Sequence, residues 1–163
     1  MELNDLMIIL HATLPVCDSL DELGMGGLQL TGGAMKGRLC LRSDLQQYLL
    51  YLVQAKGTVT ESEAELLNTV GDTKLSPEEF RQRCEVLTPP TPETNISLKS
   101  FLLGEKNLNE AGTIMDHQII NSLYELYDYM GDAVLDLRHD GNEKAAQRKA
   151  KFMERLRSYR LSE

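Results

Sequence analysis

Apolar residues in this chain recur at helical spacing over long runs, and nowhere alternate with a period of two for long enough to build a sheet. Leu3, Leu6, Met7 and Leu10 form one stripe, which predicts a helix from Leu3 to Leu14 that Pro15 ends or bends. Ser43 with Gln46 reads as a capping box, followed by Leu45, Leu49, Leu52 and Val53 up to Gly57. Thr60 with Glu63 opens a further helix through Leu66, Leu67 and Val70 to Gly71. Ser76, Pro77 and Glu79 open the next, which carries Phe80, Cys84 and Leu87 and stops before Thr88-Pro89-Pro90-Thr91-Pro92. A short apolar segment (Ile96 to Leu103) and a polar loop around Gly104 to Gly112 come next. A long helix from about Thr113 to Leu137 then has Ile119, Leu123, Leu126, Met130, Val134 and Leu137 as its stripe, flanked by Tyr124, Tyr127 and Tyr129. After Asp140-Gly141 a last helix reaches about Arg160, with Ala145, Phe152, Leu156 and Tyr159 on one face.

The expected fold is therefore all-α, a single helical bundle. Residues 1–42 supply an N-terminal helix and a Gly-rich segment, and residues 43–163 form two halves. The proline cluster near 88–95 is a stiff connector between those halves, a reading that outweighs a PxxP ligand for an SH3-like domain. A length of 163 residues suits one domain overall. With no tryptophan, the core rests on Leu, Ile, Val and Met. A net charge of −8 disfavours nucleic acid as a partner, because phosphate contacts need clustered cations.

Cys17, Cys40 and Cys84 are odd in number and widely spaced, which fits neither a zinc ribbon nor a disulfide framework. The first residues lack a basic n-region and carry Glu2 and Asp5, so no signal peptide is expected. No run approaches the about 18 apolar residues of a membrane span. These features give a cytoplasmic expectation, under which the sequon Asn95-Ile96-Ser97 is coincidental.

Searches for catalytic patterns return little. The segment from Gly24 to Gly37 holds six of the twelve glycines and reads as a mobile loop or a pair of tight turns. Gly27-x-x-x-x-Gly32 is followed by Gly33 rather than Lys, and Gln29 stands where Gly24-Met25-Gly26 would need a third glycine, so both phosphate-loop patterns fail. No HExxH, nucleophile elbow or paired metal motif occurs. His117 beside Asp116 and His139 beside Asp140 are too local to make a catalytic pair by spacing, and His11 stands alone. The expectation is a chain without catalytic residues.

Both halves contain a long helix, a glycine turn and a charge-rich helix: Leu49-Leu50-Tyr51-Leu52-Val53-Gln54-Ala55-Lys56-Gly57-Thr58-Val59-Thr60-Glu61-Ser62-Glu63-Ala64-Glu65-Leu66-Leu67, and later His139-Asp140-Gly141-Asn142-Glu143. This arrangement resembles the TerB-like (tellurite-resistance protein B) family over roughly residues 43–160, and Asn95-Ile96-Ser97-Leu98 is similar to a short Pro-x-Ser-Leu-like element of that family. The resemblance implies an all-helical fold with an internal duplication, a link to stress response or defence, and acidic turns that bind a divalent cation. The candidate ligands here are Asp136, Asp140 and Glu143 at the second turn, with Glu61, Glu63 and Glu65 at the first. Lys56 departs from the pattern by placing a positive charge where a cation would sit. An EF-hand-like reading of 136–147 puts Arg138 and Gln147 at positions that need oxygen ligands. The alternative reading makes Gly57 and Gly141 helix C-caps, with the glutamates at the following N-termini.

Charge is unevenly placed. Residues 138–160 carry +5 and the rest of the chain −13. Lys144, Arg148, Lys151 and Arg155 follow helical spacing and should form a basic stripe opposite Ala145, Phe152 and Leu156. The leading expectation is a non-catalytic module that binds another protein through this stripe, since the acidic body would repel a polyanion. A divalent-cation-binding stress protein is the second reading, and a small hydrolase or transferase the third. The Tyr-flanked long helix is a candidate surface for a homo-oligomer.

Overall fold

Residues 3–24, 36–112 and 118–161 are described in a computed structural model. Among them are seven α-helices: α1 (Leu3–Glu22), α2 (Gly37–Lys56), α3 (Glu61–Gly71), α4 (Pro77–Glu85), α5 (Ile96–Glu110), α6 (Gln118–Asp136) and α7 (Asn142–Leu161). A single 3-10 turn, Pro92–Thr94, lies in the connector. The all-helical expectation holds.

Helix α2 is the axis, and each of the other six helices packs against it. It buries Cys40, Leu41, Leu45, Tyr48, Leu49, Leu50, Leu52 and Val53 around much of its circumference, as a helix enclosed by neighbours must. At mid-bundle the Tyr48 ring meets Phe152 of α7 at 4.4 Å and Tyr127 of α6 edge-on at 4.9 Å. Tyr127 is fully buried, and its hydroxyl accepts from Asn95 Nδ2 at 2.5 Å. Of the three flanking tyrosines Tyr127 is buried, Tyr124 partly buried and Tyr129 exposed.

Several boundaries differ from those read in the sequence. Helix α1 continues through Pro15 because Leu6, Leu10 and Leu14 before it and Cys17 and Leu20 after it dock on one buried stripe. That burial outweighs the lost hydrogen bond, and Pro15 itself faces outward. The continuous α1 is long and apolar enough, by length and composition, to cross a membrane; its buried stripe makes it a core helix of this bundle. Helix α2 starts at Gly37, six residues before the expected Ser43, with its first N–H held by Asp21 Oδ2 at 3.0 Å. Ser43 is therefore inside the helix, and the division between 42 and 43 falls within α2. The predicted loop at Gly104 is also helical. Gly104 is a contact residue, since a Cβ there would come within 2.3 Å of Leu20 Cδ2.

The two other capping boxes form as expected, Thr60 with Glu63 and Ser76 with Glu79. The left-handed residue closing α3 is Asp72 rather than Gly71.

Candidate functional site

The two glycine turns meet. Gly141, between α6 and α7, lies against the end of α2, where a Cβ would come within 2.9 Å of the Lys56 carbonyl oxygen. Lys56 and Glu63 are wholly buried there. The Lys56 ammonium donates to the Val134 carbonyl at 2.6 Å and lies 3.6 Å from Glu63 Oε2. Arg138 Nε approaches the same oxygen to 3.3 Å, and its Nη2 donates to the Thr58 carbonyl at 2.9 Å. Glu63 Oε1 is committed to its own helix start, accepting from Thr60 N and Oγ1. One carboxylate thus faces two cations. Burial pushes the Lys56 ammonium below the ordinary lysine range, with Arg138 adding to the shift and Glu63 and Asp140 opposing it.

This arrangement decides what the candidate carboxylates can do. Glu63 faces inward to Lys56 and Arg138, whereas Glu61 and Glu65 are exposed on α3. Asp136, Asp140 and Glu143 are exposed at the second turn. Among the described residues, no three or more His, Cys, Asp or Glu side chains are grouped to hold a metal ion. Of the six candidate carboxylates, Glu63 alone is engaged by the protein's own ammonium and guanidinium groups. Asn142 completes the junction, donating to the Leu135 and Arg138 carbonyls at 2.9 and 2.8 Å.

None of the four basic residues of α7 is fully buried, whereas Ala145, Phe152 and Leu156 are, but the four differ in what they touch. Arg148 is half-buried toward α2, donating to the Tyr51 carbonyl at 2.7 Å and to Gln54 Oε1 at 2.8 Å, with its guanidinium 4.1 Å from the Tyr51 ring centre. Arg155 pairs with Glu93 of the connector at 2.8 Å. Lys144 and Lys151 are exposed and make no ion pair among the described residues. Lys149, outside the predicted stripe, ties α7 to Asp128 and Asp132 of α6 at 2.6 and 2.8 Å. Between α7 and the connector runs a groove of about 130 Å³, lined by Tyr51, Pro89, Pro90, Thr91 and Pro92 on one side and Arg148, Lys151 and Arg155 on the other. Tyr51 and the Glu93–Arg155 pair escaped the sequence reading. No sequence signal joined them, because Glu93 and Tyr159 lie 66 residues apart in the chain.

Among the described residues the remaining candidate groups form no cluster. His11 and His139 are exposed, and His117 lies outside the described residues. Burial raises all three thiols, Cys17 to about 12, so none is activated as a nucleophile. No protein-family model, curated protein or solved structure matches the chain.

Proposed function

We propose that this chain is a non-catalytic, cytoplasmic helical module of TerB-like type that binds another protein through the outer face of α7, taking an acidic segment of that partner. The observation that carries this reading is a rigidly held helix presenting uncommitted cations. Arg148 and Lys149 fasten α7 to α2 and α6, while Lys144 and Lys151 are exposed and pair with no described carboxylate. The groove beside Lys151 offers apolar proline and tyrosine surface next to that charge. A short acidic peptide suits this face better than a nucleic acid, because the −13 on the rest of the chain repels a long polyanion. The unactivated thiols support the non-catalytic part of the reading.

Fluorescence anisotropy with a labelled glutamate-rich peptide tests it. Wild-type protein should bind in a salt-sensitive manner, and the double substitution Lys144→Glu and Lys151→Glu should weaken binding about tenfold. Equal binding by both proteins rejects the face.

A further inference from the structure

Glu93 is the only acidic residue between Thr88 and Asn95, and the connector delivers it onto α7. Its Oε2 sits 2.8 Å from Arg155 Nη2, and its Oε1 accepts from the Tyr159 hydroxyl at 3.3 Å. The turn that carries it is held partly by threonine and backbone groups, and the carboxylate also engages its own backbone N–H and the Thr91 side chain. Thr91 N donates to Thr94 Oγ1 at 3.0 Å, and Thr94 N to the Thr91 carbonyl at 3.1 Å. Pro90 and Pro92, both ahead of Glu93 in the chain, are buried. The connector is thus seated by its prolines and threonines as well as by the carboxylate, and both members of the pair are about half exposed to water.

We propose that Glu93 is a tethered competitor: it occupies on Arg155 the place of a partner's carboxylate, and an acidic peptide seated along Lys151 and Arg155 displaces it. This rests on the reading of α7 as the docking face. Displacement leaves three outward cations, Lys144, Lys151 and Arg155, along one helix. The exchange is cheap because a solvent-exposed ion pair holds its partners weakly. The effect is to set a threshold, so that a single surface carboxylate gains little on Arg155 while a run of them, engaging Lys151 as well, wins the exchange.

The test titrates the labelled glutamate-rich peptide into full-length wild type, Glu93→Gln, Arg155→Gln and the double variant, each checked for an unchanged helical melt. Glu93→Gln should tighten binding about three- to fivefold, the range an exposed pair supports. In the Arg155→Gln background the same substitution should change nothing. If wild type binds and Lys144→Glu with Lys151→Glu weakens it, but Glu93→Gln has no effect, the competitor role is rejected and the docking face stands. Absence of binding by every variant, Glu93→Gln included, overturns both. An oligothymidylate that binds as tightly and shows the same Glu93→Gln gain would make the occupant a nucleic acid and overturn the assignment.

Discussion

The Lys56 ammonium donates to the Val134 carbonyl at 2.6 Å, so the last residue of α2 closes the final turn of α6, 78 positions further along the chain. Glu63, also buried, supplies the nearest negative charge and shares it with Arg138. Removing Glu63's charge should therefore cost more than removing Lys56's. Glu63→Gln keeps the capping box, since glutamine serves at that position, but leaves two cations facing each other in a dry site. A loss of about 3–5 kcal/mol is expected. Lys56→Met leaves one carbonyl without its donor and should cost about 1–3 kcal/mol. Urea denaturation of both variants checks the order, and the reverse order would show that the carbonyl contact, not the shared charge, holds the junction.

Gly141 carries two demands at once, a left-handed φ of +76° and a backbone neighbour at 2.9 Å. Gly112 has nearly the same φ, +72°, with nothing within 4 Å of a Cβ. The pair separates strain from contact. Gly112→Ala should cost about 1 kcal/mol from conformation alone, and Gly141→Ala about 2–3 kcal/mol because α2 and the second turn must also part. Equal losses in thermal or urea unfolding would mean that the turns yield without cost.

The helix starts that were legible in the sequence are those whose cap lies three residues away. Thr60 with Glu63 and Ser76 with Glu79 are such cases, because donor and acceptor are both local. Other helix ends are held from a different helix. Asp21 holds the first N–H of α2, and Asp44 accepts from Ser97 N and Oγ at the start of α5. Glu105 accepts from Ile119 N and Ile120 N at the start of α6, and Gln54 donates to the Cys84 carbonyl at the end of α4. None of these pairings has a sequence spacing, so periodicity could place the stripes but not the boundaries. Pro15 and Gly104 misled for the same reason: each reads as a breaker locally and is overruled by burial of its neighbours. At the candidate site, the charge asymmetry of α7 was legible, whereas the division of its cations into anchors and free groups depends on α2, α6 and the connector.

Alkaline pH should destabilise the protein through Cys17. Its thiol is buried between α1 and α2, and burial, helped by Asp21 and Asp18, raises it from 9.0 to about 12. Between those values the folded chain keeps a proton that the unfolded chain has released, so stability falls as pH rises above about 9. From about pH 9 to about pH 10 the loss attributable to this thiol is about 1 kcal/mol. Tyr48 and Tyr127, both raised by burial, push the same way at higher pH, while the depressed Lys56 opposes them. Cys17→Ala should flatten the decline in the urea midpoint over this range. A slope identical to that of wild type would place the sensitivity elsewhere.

Arg148 and Lys151 are neighbours on α7 with opposite duties, and one substitution at each separates them. Arg148 spends its guanidinium on the Tyr51 carbonyl, Gln54 and the Tyr51 ring. Arg148→Ala should lose two hydrogen bonds from a charged donor and a stacked contact, about 2–3 kcal/mol in all. Lys151→Ala, at an exposed position without a partner, should change stability by less than about 0.5 kcal/mol. For the glutamate-rich peptide the ranking inverts: Lys151→Ala should weaken binding directly, whereas Arg148→Ala should do so only to the extent that α7 loosens from α2. Denaturation and anisotropy on the same two proteins decide this. Matching losses of stability at both positions would place Lys151 among the anchors and remove it from the docking face.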